Sequence, residues 1–190
     1  MLKDRRRAIA DAASQVFAEA GYAQASITAI ADASGVTRPT IYTYFESKYD
    51  ILRAVAEQVR DEVLQAQENV GEDPEEILRT TTSANLRQRA RHYGVLTVIQ
   101  HEALSDPVFE RLLDDVNARA MKRHRRFIER LQAQGRARPL LTPEAIVEIN
   151  LGTTQRMAQL VWRDPAREEW CAEVIFQSLT QMINLVNDPS

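Results

Sequence analysis

Residues 26–48 read SITAIADASGVTRPTIYTYFESK, and this stretch decides how the chain folds. Ser34, Gly35 and Val36 lie between two short segments of helical pattern and predict a tight turn. Glycine can adopt a positive φ angle at such a turn without a Cβ penalty. Ala31 lies four residues before Gly35, where a small side chain lets two helices cross closely. The stretch therefore predicts two short helices joined by a glycine turn.

The same stretch supplies the core and the helix starts that this arrangement needs. Ile30, Val36 and Ile41 occupy the positions that must be apolar to form a shared core. Ser26 and Thr37 are expected to cap the two helices, because their hydroxyls accept hydrogen bonds from free backbone N–H groups. These features indicate a helix-turn-helix. The alternative is a pair of ordinary core helices that happen to be joined at a glycine.

Helical patterns continue on both sides of this stretch. A first helix is predicted from about Asp4 to Ala20 and is ended by Gly21, and another begins at about Lys48. Gly71 to Pro74 is the clearest break in the chain. Beyond it the pattern predicts helices at about 74–91, 93–104, 107–134, 143–162 and 165–187.

Composition supports an all-α fold. The 190 residues are 44% hydrophobic and 27% charged, which is ordinary for a globular protein. Only 6 Gly and 7 Pro interrupt the chain, and no long stretch alternates β-branched with polar residues. The predicted architecture is an N-terminal three-helix domain that contains the helix-turn-helix, followed by a larger helical domain.

Several classes of site are not expected. Cys171 is the only cysteine, so it forms no intramolecular disulfide, and among apolar helical residues it is expected to be a core side chain. The three histidines lack partners at metal-ligand spacing, so neither a metal site nor a cofactor is expected. No catalytic constellation or phosphate loop stands out, which argues against an enzyme. No apolar run approaches a membrane span, and a cytoplasmic location is expected.

Net charge gives no simple indication of a nucleic-acid partner. The chain carries a formal charge of −3, and residues 1–68 contain 8 Lys and Arg against 10 Asp and Glu. An electrostatic case for DNA binding must therefore rest on where the cations lie.

Residues 37–48, TRPTIYTYFESK, resemble the signature of the TetR family of transcriptional regulators. The shared pattern is a short recognition helix, then Tyr-x-x-Phe, then a lysine that opens a long helix. Residues 17–22, FAEAGY, and the pair Ile30–Ala31 also resemble this family. The resemblance covers roughly residues 5–55. It implies a helix-turn-helix DNA-binding domain over residues 1–47 and a connector helix with a ligand-binding and dimerisation domain over 48–190.

Chemistry and this resemblance together suggest which side chains contact DNA. Ser26 and Thr37 lie at helix N-termini, where hydroxyls and free N–H groups can meet a phosphate. Arg38 can pair with the O6 and N7 atoms of guanine. Pro39 and Thr40 offer apolar contact to a thymine methyl group.

A second set of side chains is expected to contact mainly the DNA backbone. Tyr42 and Tyr44 offer hydroxyls to phosphates, although Tyr44 could equally be a core residue. Lys48 is expected to pair with a phosphate, as its counterpart does in relatives. Thr28 and Thr43 are weaker candidates for base or backbone contact.

Two further predictions concern the N-terminal part of the chain. Phe45 is expected to be a core residue that closes the third helix against the first. The cluster of Lys3 and residues 5–7, all arginine, is expected to be a mobile arm near phosphates. The alternative for this cluster is the solvated start of the first helix.

The resemblance implies that a small-molecule effector enters the C-terminal domain and releases the operator. Polar and aromatic residues on apolar helix faces are the candidate ligand contacts, and they could instead be ordinary buried polar groups. These candidates are Tyr93, His101, Phe109, His124, Asn150, Thr153, Met157 and Trp162. The basic run at residues 122–126, with Arg119 and Arg130, predicts a solvated helix face. The alternative for this run is attraction of an acidic ligand or a phosphate.

The last two predicted helices, about 143–162 and 165–187, carry an unusually wide apolar face. They are expected to form a four-helix bundle with their copies across a two-fold axis. The face of the last helix combines Trp170, Val174, Phe176, Leu179 and Ile183 with a seam through Cys171, Ile175 and Met182.

The sequence thus predicts a homodimeric repressor that binds a near-palindromic operator in double-stranded DNA and releases it on binding a small molecule. The alternative is a DNA-binding regulator without an effector, whose C-terminal half serves dimerisation or a protein partner only.

Overall fold

The computed structural model describes residues 2–65 and 73–186, which form helices, short turns and one isolated β-bridge. The all-α prediction is confirmed. Gly71 and Glu72 of the predicted break lie outside the described residues. None of the helices in the described ranges is long and apolar enough to cross a membrane. The helices are α1 (Leu2–Gln24), α2 (Ile27–Ser34), α3 (Arg38–Tyr44), α4 (Lys48–Gln65), α5 (Pro74–Arg91), α6 (Tyr93–Ala103), α7 (Pro107–Ala133), α8 (Pro143–Arg163) and α9 (Glu168–Ile183).

Local signals place most helix ends where the sequence predicts them. Gly21 has φ 74° and ψ 165°, so α1 is interrupted where the first helix was expected to end. The Thr142 hydroxyl accepts a hydrogen bond from the N–H of Ala145 at 3.3 Å and caps α8. Because these signals depend only on neighbouring residues, they can be found in the sequence.

The last helix is shorter than predicted. It follows a 3₁₀ turn at Pro165–Arg167 and ends at Ile183, so the expected span of 165–187 is wrong within the described residues. Asn184 adopts the left-handed conformation, with φ 50°, and its side chain donates to the carbonyl of Arg138 at 3.1 Å. The N–H of Arg138 donates to the carbonyl of Asn184 at 3.0 Å. These bonds to a distant turn replace the bonds that would continue the helix.

The chain divides into two compact units. The first comprises residues 2–62 and 92–114 of the described chain and contains α1 to α3, most of α4, and α6. Its core includes Ile9, Ala13, Phe17, Ile30, Ile41, Phe45, Leu52, Val55, Val95, Ile99 and Phe109. Gly94 allows α6 to approach α1 closely, since a Cβ atom at this position would lie 2.7 Å from the Cβ of Ala18.

The second unit comprises residues 63–65, 73–91 and 115–186, with α5, most of α7, α8 and α9. Its core cluster contains Leu78, Ile128, Leu131, Ala137, Ile146, Val147, Phe176, Leu179 and Ile183. Cys171 is a buried free cysteine, as predicted. Phe176, Leu179 and Ile183 are also buried in their own unit. The expectation that they face a partner is therefore wrong, because α9 fills this core with them.

The two compact units are defined by contacts between residues, and their bounds differ from the expected functional division into residues 1–47 and 48–190. The first unit includes α6 because α6 packs on α1. The functional division stays a prediction.

Candidate DNA-binding surface and ligand cavity

The turn between α2 and α3 has the geometry that the sequence predicts. The Ser26 hydroxyl accepts from the N–H of Ala29 at 3.1 Å and caps α2. Gly35 ends α2 in the left-handed region, with φ 66° and ψ 29°. The N–H of Val36 donates to the carbonyl of Ala31 at 3.1 Å. These contacts fix the direction in which the chain enters α3.

Buried residues hold α3 against the rest of its unit. Ile41 is fully buried, and Phe45 is buried directly after the helix, as expected. The Thr37 hydroxyl accepts from the N–H of Thr40 at 3.4 Å and caps the helix. Pro39 lies in the first turn, where its missing N–H removes no helical hydrogen bond. A helix of seven residues is thereby fixed at both ends.

The opposite face of α3 is open to solvent. Arg38, Pro39, Tyr42 and Thr43 are exposed, and Tyr42 exposes 47% of its surface. The Arg38 guanidinium lies over the Tyr42 ring, 5.9 Å from its centroid. The helix therefore presents a cation, a phenol hydroxyl and a hydroxyl from Thr43 on one short exposed surface.

The other expected DNA contacts lie at or near this surface, with different degrees of exposure. Ser26, Thr28 and Thr37 are exposed. Thr40 and Tyr44 are half-buried, so the structure leaves both expectations for Tyr44 open.

Lys48 contacts the protein itself, which the sequence did not indicate. Its Nζ atom donates to the carbonyl oxygens of Tyr22 at 2.7 Å, Ala23 at 3.3 Å and Ala25 at 2.8 Å. It also lies 4.6 Å from the centroid of the Tyr22 ring. All three ammonium protons are directed at carbonyl groups beyond the α1 interruption at Gly21. In this arrangement Lys48 holds the start of α4 against the end of α1, and its expected phosphate contact stays a prediction.

The N-terminal cations belong to a helix. Arg5, Arg6 and Arg7 are exposed on α1, which agrees with the alternative of a solvated helix start and not with a mobile arm. The Arg6 guanidinium lies 4.7 Å from the centroid of the Phe45 ring. The side chain of Lys3 lies outside the described residues.

The second unit contains a cavity of about 610 Å³. Its apolar walls include Ile77, Leu78, Phe127, Ile128, Val147, Ile175, Leu179 and Ile183. Neutral polar side chains also face it, namely Thr81, Thr82, Asn85, Asn150 and Thr154. The volume lies within the range of pockets that take small organic ligands.

One side of this cavity is basic. The lining residues of α7 include Arg119, Lys122, Arg123, Arg126 and Arg130. Arg119, Lys122, Arg126 and Arg130 are exposed, as expected for a solvated helix face. The five residues share one side of α7 because their spacing is three or four residues, so this side is solvated and also lines the cavity.

His124 lines the same cavity and is neutral at physiological pH. Desolvation by burial is the main cause that lowers the pKa of His124 to about 4, and the positive charges of Arg123 and Arg89 contribute to the same shift. Burial also lowers the pKa of the Arg123 guanidinium. The cavity is thus an environment in which additional positive charge is costly.

Of the eight candidate ligand residues, only His124 and Asn150 line the cavity. Tyr93, His101 and Phe109 belong to the other unit, where Phe109 is a buried core residue 5.5 Å from the Tyr49 ring. Three residues of α8, Thr153, Met157 and Trp162, are absent from the cavity lining. The structure therefore does not bring the eight residues together. The sequence could not predict this, because helical spacing alone does not tell which apolar face borders a cavity.

Comparisons with known proteins relate the first unit to a family of regulators. Residues 9–55 match the family model described as bacterial regulatory proteins, tetR family. The chain is 34% identical over 100 residues to the HTH-type transcriptional activator FasR of Mycolicibacterium smegmatis, which covers 53% of this chain and 42% of FasR. It is 36% identical over 120 residues to the HTH-type transcriptional repressor BepR of Brucella suis, which covers 57% of each chain. The matches thus span about half the length of these relatives.

The fold is also similar to solved structures. A transcriptional regulator from Rhodococcus sp. Rha1 superposes with a TM-score of 0.77 over 93% of this chain and 95% of that chain. Sequence identity to it is 20%, so this likeness concerns the fold alone.

Proposed function

We propose that this chain is a homodimeric repressor of the TetR family of bacterial regulatory proteins, whose operator is released when a small molecule binds the cavity. The proposal has three parts, which concern DNA, the partner subunit and the effector.

The DNA part rests mainly on one observation, the exposed surface of α3 on a rigidly held helix-turn-helix. Arg38 lies at the exposed N-terminal end of this helix, where it can pair with a guanine edge in the major groove. Tyr42 and Thr43 offer hydroxyls from the same surface to the phosphate backbone. Burial of Ile41 and Phe45 fixes the helix in position, so binding requires little ordering of side chains behind it.

The partner part rests on large apolar side chains that α8 and α9 leave in contact with solvent. Ile149 exposes 45% of its surface, Trp162 48% and Trp170 51%. Burying them against a second copy would remove this apolar surface from water. Two-fold symmetry then presents two copies of α3 to DNA and requires a near-palindromic operator.

The effector part rests on the cavity in the second unit. A small molecule can release the operator only if it binds more tightly to the conformation that does not bind DNA. In support of this part, the cavity of about 610 Å³ is large enough for such a molecule. It also favours this proposal over a regulator without an effector. Of the two relatives, BepR is named a repressor and FasR an activator, and we propose repression.

Selection of bound genomic fragments tests the function. The purified chain should enrich fragments that share one near-palindromic motif. A double variant, Arg38→Ala with Tyr42→Phe, retains buried Ile41 and Phe45 and controls for capture that does not involve α3. Enrichment of no common motif by the parent, or of the same motif by the double variant, would contradict the proposal.

A further inference from the structure

The cations that line the cavity have no compensating acidic group in its wall. Five Lys and Arg residues of α7 line the cavity, and no Asp or Glu does so among the described residues. The lining is otherwise apolar or neutral and polar. The cavity therefore has a positive potential on one side and hydrophobic walls elsewhere.

Nearby acidic residues neutralise a different cation. Arg125, which does not line the cavity, lies 3.5 Å from Glu129 and 3.4 Å from Glu144. Within the described ranges, no carboxylate lies at ion-pair distance from Arg119, Lys122, Arg126 or Arg130. The charge of these four residues is thus available to an anionic ligand.

The five cations differ in their exposure to solvent. Burial lowers the pKa of Arg123, whereas Arg119, Lys122, Arg126 and Arg130 are exposed. An anion is therefore attracted mainly by the four exposed cations, whose charges water partly screens.

The opposite walls require an apolar body on the ligand. Leu78, Val147, Ile175 and Leu179 offer only hydrocarbon surface. Thr82 and Thr154 are buried residues of this lining. Each hydroxyl can donate a hydrogen bond to a neutral polar atom of the ligand or accept one from it. A small hydrophilic anion would leave the apolar walls without contact, and a cation would be repelled by α7.

We infer that the cavity binds an amphipathic anion, with an apolar chain or ring system against α5, α8 and α9 and a carboxylate or phosphate group against the cations of α7. This inference rests on the proposed function, since it names the chemical class of the effector. The anionic head group would pair with Arg126 or Lys122 while the apolar body displaces water from the walls.

Four single-chain compounds that differ in their head group test this inference. Decanoate, decyl phosphate, decanol and decyltrimethylammonium are titrated into the full chain below their critical micelle concentrations, and binding is followed by calorimetry. Either anion should bind at least about tenfold more tightly than decanol, which corresponds to one charge-assisted hydrogen bond. The tighter anion identifies the head group as carboxylate or phosphate. Binding of neither anion, or equal binding of decanol or the cation, would overturn the inference.

Substitutions separate binding in the cavity from general association with a surfactant. Arg126→Gln or Lys122→Gln should weaken binding of the preferred anion about tenfold and leave decanol unchanged. Both side chains are exposed, so folding is expected to survive, and circular dichroism checks it. Arg138→Gln removes an exposed cation of the same unit outside the cavity and should have no effect. Equal effects of the three substitutions would contradict a site in the cavity.

This experiment contains no DNA, so its result is independent of operator capture. A chain that captures an operator but binds neither anion would leave the DNA-binding proposal standing and remove the effector class.

Discussion

Arg38 is the side chain on which the proposed recognition of operator sequence depends most directly. It is exposed at the start of α3, and its guanidinium lies 5.9 Å from the centroid of the Tyr42 ring. Arg38→Ala should weaken specific operator binding by about 1–3 kcal/mol and relax the base preference at one position per half-site. Fluorescence anisotropy on the selected operator measures the first effect, and a repeated binding-site selection measures the second.

Tyr42→Phe provides the matched control on the same helix. It removes one hydroxyl and should lower the affinity for all sequences about equally, because phosphate contacts carry no base preference. An Arg38→Ala variant that keeps the parent's base preference would show that Arg38 does not read a base.

His124 should make the stability of the fold depend on pH. Its folded pKa of about 4 lies below the ordinary value of 6.5, so between these values the unfolded chain binds more protons than the folded chain. Stability attributable to this residue is therefore complete above about pH 6.5 and is lost as pH falls toward 4. The loss by pH 4 should be on the order of 3 kcal/mol.

Urea unfolding of the parent and of His124→Phe across this pH range measures the effect. The parent should lose more stability than the variant, because phenylalanine fills similar space and does not titrate. If the variant fails to fold, a proton NMR titration of His124 in the parent gives its pKa directly. Parallel stability curves, or a measured pKa near 6.5, would contradict the burial argument.

At the scale of elements, Lys48 connects α1 to α4. Its three contacts with backbone carbonyls predict that Lys48→Met lowers the stability of the chain by about 1–3 kcal/mol, since hydrogen bonds to a charged group are lost. Thermal unfolding measures this loss. The control is Arg53→Met, which removes an exposed cation of α4 whose ion pair with Glu57 contributes little.

The salt dependence of operator binding distinguishes this role from a phosphate contact. A phosphate ligand would reduce the slope of log K against log salt concentration by about one unit when it is removed. If Lys48 instead holds α1 against α4, Lys48→Met should leave the slope unchanged and lower the stability of the chain. A reduced slope with full stability would restore the role that the family resemblance implies.

The helices show which features a sequence can predict. Ser26, Gly35 and Thr37 act on neighbouring residues, so their caps and turn could be assigned from local sequence alone. The end of α9 depends on bonds between Asn184 and Arg138, 46 positions away in the chain, and no local signal reports them.

The candidate sites also differ in how far the sequence can predict them. Exposure of Pro39 and Thr43 follows from burial of Ile41, because residues two positions away lie on the other side of a helix. The cavity depends on how four helices pack. The sequence therefore shows the run of basic residues on α7 but does not show that these residues line a cavity. Only a three-dimensional arrangement shows that Lys122 and Arg126 face a cavity while Arg125 faces acidic residues.

At the scale of the whole molecule, the proposed dimer depends on the apolar face of α8 and α9. Trp170→Glu should convert the proposed dimer to a folded monomer, because it places a charge where apolar surface would be buried. Light scattering at micromolar concentration measures the change, and circular dichroism confirms the fold. Leu104→Glu is the control, since Leu104 is 85% exposed and lies on neither helix.

The same test cannot be made at Leu179 or Ile183, because both are buried in their own subunit and glutamate there would unfold the chain. A parent chain that scatters as a monomer, or a Trp170→Glu variant that remains dimeric, would show that this face does not form the interface.

The central claim is that two copies of α3, related by a two-fold axis, each read one half of an operator. Footprinting of the parent chain on a selected genomic fragment tests it most directly. The account predicts protection of two half-sites in inverted orientation, with centres about one DNA turn apart or somewhat more. Scrambling either half-site should abolish protection of both. Protection of a single asymmetric site, or equal protection of all fragments, would contradict the account.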